Sequence, residues 1–159
     1  IPGRTACNIE VDTIVTLSQI DNILSVKEAS GDLDAMAEII ERTDENFVLY
    51  SGDDSLTLPV LSIGGKGTVS VAAHIVGNEM KEMIELFNAG DIKSASAIHR
   101  KLLPTFQALF SAPSPTPLKA VLNLTGIPVG DVRLPLVPLS EEQIEGLKNK
   151  INVKEFKAS

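Results

Sequence analysis

Lys27 closes a short apolar run, Ile23-Leu24-Ser25-Val26, and is followed at once by Glu28-Ala29-Ser30-Gly31-Asp32, small and polar residues that lead into a helical pattern. An ammonium desolvates badly, so a lysine on a strand is costly unless its head group reaches water or a partner. Two readings follow. Lys27 is an edge-strand lysine with its amine in solvent, or it is an amine held at the mouth of a parallel barrel, where strand ends carry chemistry. Glu28 is its neighbour in sequence, but successive strand residues point to opposite faces, so it is not expected to be a close counter-ion.

The other residue types that do chemistry are sparse. His74 and His99 are the only histidines, and with no carboxylate or thiol arranged around them they read as helix-surface residues rather than metal ligands. Asp53-Asp54 reads as a helix N-cap and first-turn charge rather than a metal pair. Gly64-Gly65-Lys66-Gly67 superficially suggests a phosphate loop, yet the order there is helix to strand, the reverse of a dinucleotide fingerprint. These glycines read as turn residues. The single Cys7 has no partner for an internal disulfide and no evident histidine beside it, so it reads as a small buried residue in a reducing, cytoplasmic compartment.

The bulk composition narrows the classes. The chain has 159 residues, 43% hydrophobic and 22% charged, enough for one domain with a sizeable core and against wholesale disorder. The net charge of −7, without a basic cluster, argues against nucleic-acid binding. No apolar run approaches the roughly 18 residues of a membrane helix, and no signal peptide opens the chain. It starts at Ile1 without an initiator Met, and a piece of a longer polypeptide is expected.

The elements that hold these residues follow from periodicity. Ile1-Pro2-Gly3-Arg4-Thr5 reads as a strand-to-loop exit, and Val11 to Ser18 as a short helix. The lysine strand comes next. Leu33, Met36, Ile39 and Ile40 form a helical face ending near Arg42. Phe47 to Tyr50 reads as a second strand, Ser55 to Ile63 as a helix, Thr68 to Val71 as a third strand, and Ala73 to Ala89 as a long amphipathic helix. Strands recurring about every 20 residues with helices between them argue right-handed crossovers and a parallel sheet. After Gly90 the pattern is helical: Asp91 to Phe110, a proline-rich turn through Ala112–Pro117, Leu118 to Leu124, an extended Leu134–Pro138, and a last helix to about Val153. Ser140 with Gln143 forms a capping box there. Residues 1–90 are thus βα units and 91–159 a helical annex of the same domain.

Ile1-Pro2-Gly3-Arg4-Thr5, Val26-Lys27-Glu28-Ala29-Ser30-Gly31-Asp32, Ser51-Gly52-Asp53-Asp54 and Gly64-Gly65-Lys66-Gly67-Thr68-Val69-Ser70-Val71, with Pro113, Pro115, Pro117, Lys119 and Leu134-Pro135-Leu136, resemble the second half of the dihydrodipicolinate synthase family. The resemblance covers essentially the whole chain and is specific because several motifs keep the family's separations together. It implies an α/β fold, the C-terminal portion of a (β/α)8 barrel, with the three strands as the sixth to eighth and an all-helical annex after them. The family's proton-shuttling tyrosine falls just before Ile1. Its first four strands, paired threonines, second tyrosine and lysine-inhibition site belong to the absent half.

The implied activity is that of a class I pyruvate lyase of lysine biosynthesis by the diaminopimelate route, condensing pyruvate with aspartate semialdehyde to 4-hydroxy-tetrahydrodipicolinate. Lys27 is the implied nucleophile, and it needs no cofactor beyond its covalent imine with pyruvate. The amine must be neutral to attack. With an ordinary value near 10.4, about one lysine in a thousand is neutral near pH 7.4. Burial at an apolar mouth, with Val26, Tyr50 and Val69 as walls, is expected to raise that fraction.

Arg4 resembles the family's arginine that holds the carboxylate of the second substrate, a task suited to a planar donor fork; its plain alternative is a surface arginine in a loop. Gly52 and Val69 correspond to residues beside bound pyruvate, though a turn glycine and a core valine read equally well. Sialic-acid (N-acetylneuraminate) lyase and the 2-keto-3-deoxy sugar-acid aldolases share the imine lysine and differ in the second substrate. Different in class are a non-catalytic half-barrel that needs a complementing chain and an inert α/β scaffold with Lys27 in solvent. Three strands cannot close a barrel, so the isolated chain is expected to bind pyruvate poorly and to aggregate or recruit an N-terminal half. The family implies a homotetramer built as a dimer of dimers.

Overall fold

A computed structural model describes residues 1–151. Its elements are α1 (Pro2–Thr5), α2 (Val11–Leu17), β1 (Ser25–Glu28), α3 (Leu33–Arg42), β2 (Val48–Ser51), α4 (Thr57–Ser62), β3 (Gly67–Thr68), α5 (Ala73–Asn88), α6 (Ile92–Leu109), α7 (Thr116–Leu124) and α8 (Glu141–Lys150). The three strands form one parallel sheet in the order β1-β2-β3. Parallel neighbours need a crossover, and α3 and α4 supply the two.

Local chemistry sets most of the helix boundaries. The Asp32 carboxylate accepts from the Ala35 amide at 3.0 Å and starts α3, which then buries Met36 and Ile39. Asp91 caps α6 in the same way through the Ser94 amide at 3.0 Å. At α8 the Ser140 hydroxyl accepts from the Gln143 amide at 3.2 Å while the Gln143 side chain accepts from the Ser140 amide at 2.9 Å, the reciprocal pair expected from the sequence.

Several boundaries differ from expectation, each for a physical reason. Ile1–Thr5 is not a strand exit: Pro2 occupies the first helical position, where its missing N–H costs nothing, and Ala6 closes the turn with φ 54°. The segment from Ser55 opens as a 3-10 turn over Asp54–Leu56 before α4, because the Asp53 carboxylate accepts from the Ser55 amide at 2.8 Å. β3 is only Gly67–Thr68 rather than Thr68–Val71, because the Val71 and Ala72 amides leave the ladder for the Asp54 carboxylate. α7 begins at Thr116, two residues early, with Pro117 in its first turn. α8 ends at Lys150, and Val153 lies outside the described residues.

Burial divides into two clusters. Ile14, Met36, Ile39, Leu49 and Val60 pack together beneath one face of the sheet, with Val26 and Leu33 against them. The second cluster joins α5 to α8 through Val76, Met80, Leu102, Phe106, Val121 and Leu147. Phe106, with 1% of its surface exposed, is the largest side chain buried this completely among the described residues, so α6 is the hub of the annex. Cys7 is exposed rather than buried. His99 is half-buried rather than on the surface: its ring leans on Phe106 at 6.2 Å between centroids, and burial, helped by the Arg100 charge, holds its pKa below the usual histidine value. Among the described residues no helix is long and apolar enough to cross a membrane.

Candidate active site

The register of the sheet decides which way each candidate faces. Val26 pairs with Leu49 and both join the core under the helices, so Lys27 and its partner Tyr50, one residue on, face the other side. Gly67 pairs with Tyr50 and continues that row onto β3. Lys27 is exposed there, not buried in an apolar mouth, and Val26 is no wall of its pocket. The reason is architectural. The core helices pack on the face that carries Val26 and Leu49, and Lys27 lies on the other, where it is exposed while Tyr50 is half-buried.

Lys27 and Gly52 are brought together on that face. A methyl group built on Gly52 would sit 2.7 Å from Lys27 Cε and 2.7 Å from Ala29 Cβ. Real carbon atoms do not approach so closely, so only glycine lets the lysine stem pass between β1 and the turn after β2. The Gly52 amide also donates to the Glu28 carbonyl oxygen at 2.7 Å, which carries the β1–β2 ladder one step beyond the last paired residues. Val69 sits at the same end of the sheet, its amide donating to the Ser51 carbonyl at 2.8 Å and 49% of its surface exposed, so it is a rim residue rather than core. The Arg4 guanidinium donates to the Ser114 carbonyl at 3.1 Å, which ties α1 to the turn between α6 and α7. Among the described residues no ion pair within 4.0 Å includes Lys27, in keeping with Glu28 turning to the opposite face.

Two carboxylates at this rim matter more than their sequence context indicates. Asp54, expected as a first-turn charge, is 1% exposed and accepts from the Val71 amide at 3.2 Å and the Ala72 amide at 2.9 Å through one oxygen. Its other oxygen is buried without a hydrogen-bond partner. Burial pushes its pKa above the ordinary aspartate value, opposed by the Ser70 hydroxyl and the two amides. Asp54 thereby fastens the turn after β2 to the start of α5. Glu28 is also buried, and its carboxylate folds back onto Ser30. Among the described residues no three His, Cys, Asp or Glu side chains cluster as metal ligands.

Asp54→Ala should destabilise the fold by about 2–4 kcal/mol, because it strands the buried Ala72 amide and the half-buried Val71 amide, an unsatisfied buried group costing about 1–3 kcal/mol. The pH dependence has a definite sign. A carboxyl whose folded pKa is raised stabilises most when protonated, and that contribution is lost as pH rises from the ordinary aspartate range through the raised value. Urea unfolding of wild type and Asp54→Asn across pH 3 to 8 should therefore show the difference moving in favour of asparagine as pH rises. A difference that stays flat would contradict the assignment of the shift to Asp54.

A family model, the dihydrodipicolinate synthetase family, matches residues 1–154. The chain belongs to that family. Among relatives of the dihydrodipicolinate synthetase family, 4-hydroxy-tetrahydrodipicolinate synthase 1 of Halalkalibacterium halodurans is 58% identical over 152 residues, covering 96% of this chain and 52% of the relative. A crystal structure of dihydrodipicolinate synthase DapA-2 from Bacillus anthracis superposes with a TM-score of 0.90 at 52% identity, covering 94% of this chain and 51% of that one. The dihydrodipicolinate synthase of Acinetobacter baumannii, solved as the chloride-inhibited enzyme complexed with pyruvate, gives a TM-score of 0.91 at 32% identity, over 98% of this chain and 54% of that one. The chain thus spans about half the length of these family members.

Proposed function

We propose that this chain is the C-terminal part of a (β/α)8 barrel enzyme, 4-hydroxy-tetrahydrodipicolinate synthase, and that Lys27 forms its imine with pyruvate. β1, β2 and β3 are then the sixth to eighth barrel strands, residues 1–90 the barrel units, and residues 91–159 the annex of the same domain. The observation that carries this reading is the seating of the Lys27 stem against Gly52 on the face of a parallel sheet away from the core helices, at the end where the strands deliver their loops. An exposed lysine is a poor nucleophile. The desolvation it needs therefore has to come from the remaining strands of the barrel, which close over this face. An N-terminal half is the partner of this chain in that sense, and pairing of the free edges of β1 and β3 is the interaction that recruits it.

The chemistry follows from the amine. The neutral Lys27 Nζ lone pair attacks the keto carbon of pyruvate, the carbonyl electrons pass to oxygen, and that oxygen leaves as water once protonated. The resulting imine withdraws electrons from the methyl group, which loses a proton to give an enamine. The enamine carbon attacks the aldehyde carbon of aspartate semialdehyde and forms the new C–C bond. The amine of that substrate then displaces Lys27 from the imine carbon, closing the ring and freeing the enzyme. No cofactor is required. The assembled enzyme is a cytoplasmic homotetramer in this reading.

Arg4 is assigned to the carboxylate of the second substrate, which distinguishes this reading from a sugar-acid aldolase of the same chemistry. Product formation from pyruvate with aspartate semialdehyde, and with N-acetylmannosamine or a sugar aldehyde in its place, tests it in the full-length protein. Turnover with aspartate semialdehyde alone is expected, and preference for a sugar aldehyde would overturn the reading. Arg4→Ala should raise the KM for the semialdehyde about 10- to 100-fold, the worth of a charged hydrogen-bonding group, while leaving imine formation with pyruvate unchanged.

A further inference from the structure

We infer that Glu28 is a positioning residue for Lys27: its buried carboxylate locks the loop that fixes where the lysine stem can run. The inference rests on the proposed imine chemistry and goes beyond it, because Glu28 faces away from the reacting side of the sheet and touches no substrate.

The geometry is a relay of short local bonds. Glu28 is 8% exposed, and none of the ion pairs among the described residues includes it. Its charge is met instead by Ser30: the Ser30 hydroxyl donates to one carboxylate oxygen at 2.6 Å, and the Ser30 amide lies 3.1 and 3.2 Å from the two oxygens. The same hydroxyl accepts from the Asp32 amide at 3.1 Å, and Asp32 caps α3. Glu28 is thus fastened to the N-terminus of a helix that buries Met36 and Ile39 in the core. A buried carboxylate without a cation is expensive, so its hydrogen bonds hold the loop firmly.

The consequence reaches the lysine through Ala29. Ala29 Cβ and Lys27 Cε both border the space above Gly52, each 2.7 Å from where a side chain there would begin. Ala29 is the residue between Glu28 and Ser30, so the Glu28–Ser30 clamp determines where its methyl group sits. The Gly52 amide bonded to the Glu28 carbonyl closes the same unit from the β2 side. Releasing the clamp lets Ala29 shift and widens the channel for the Lys27 stem. Nucleophilic attack tolerates little misplacement, and about 1 Å can cost about 100-fold in rate.

The test is the first-order rate of borohydride trapping at saturating pyruvate, per folded molecule, in full-length protein. Glu28→Ala should slow trapping about 10- to 100-fold. Ser30→Ala, which removes only the hydroxyl bonds, should slow it about 3- to 10-fold. Glu28→Gln, whose amide oxygen still accepts from the Ser30 amide, should fall closer to wild type than Glu28→Ala. Glu28→Ala and Ser30→Ala proteins that trap at the wild-type rate would overturn the inference, including the case in which both merely melt earlier. If Glu28→Ala does not fold, Ser30→Ala decides alone. A wild-type protein that gives no adduct on Lys27 overturns the functional reading itself and the inference with it, whereas wild-type trapping with indifferent variants overturns the inference only.

Discussion

Lys27→Ala is expected to lower turnover of pyruvate and aspartate semialdehyde by at least about 10⁴-fold, as loss of a covalent nucleophile does elsewhere. The size follows from the mechanism: without an amine there is no imine, and without the imine the methyl group of pyruvate does not become acidic enough to react. Lys27→Arg should be nearly as inactive. A guanidinium keeps the positive charge but has no free electron pair at any accessible pH, so it cannot attack a carbonyl. That pair of variants separates two roles. If Lys27 only held the pyruvate carboxylate by charge, arginine would preserve much of the activity. Steady-state kinetics on the full-length enzyme, with circular dichroism to confirm folding, reads the outcome.

Gly52→Ala is expected to lower kcat about 100-fold, the second largest effect. The added methyl group meets Ala29 Cβ and Lys27 Cε at 2.7 Å, and it cannot stay at both distances. Ala29 sits in a loop clamped by Glu28 and Ser30, so the flexible lysine stem is the part that moves. The nucleophile is thereby carried out of line. The accompanying loss of stability should be modest, about 1–3 kcal/mol for an overpacked site, and the protein should still fold. Rate and melting temperature measured together check this: a large loss of kcat with a small loss of stability is expected, and an unchanged kcat would show that the lysine stem does not depend on the space at Gly52.

What the sequence made legible, and what it did not, divides along the range of the interactions. Asp32, Asp91 and Ser140 each bond an amide three residues ahead, and α3, α6 and α8 begin where those residues predict. The alternation of strands and helices likewise yields the parallel order, since it depends on spacing alone. β3 is shorter than the Thr68–Val71 pattern predicts because Asp54 reaches 17 and 18 residues ahead to take two amides from the ladder. Arg4 meets Ser114 across 110 residues, a contact no local pattern contains.

The candidate site splits in the same way. The nucleophilic role proposed for Lys27 rests on several motifs that keep their separations, and the structure adds that its stem runs beside Gly52. Its expected burial is not seen: Lys27 is exposed, whereas Tyr50 beside it is half-buried and Gly67 buried. The sequence pattern makes Glu28 no close counter-ion of Lys27 and Asp54 a first-turn charge, and says nothing of the bonds each makes. For Glu28 the available signal is a carboxylate at the end of a strand followed two residues on by serine, a pattern that permits the local bonds seen there; no local pattern signals Asp54, whose partners lie 17 and 18 residues ahead.

Borohydride reduction of the full-length protein in the presence of pyruvate, followed by peptide mapping, tests the central claim most directly. A reduced pyruvate adduct confined to the peptide that carries Lys27 is the predicted result. An unmodified Lys27, or adducts spread over the surface lysines without preference for it, would contradict the account.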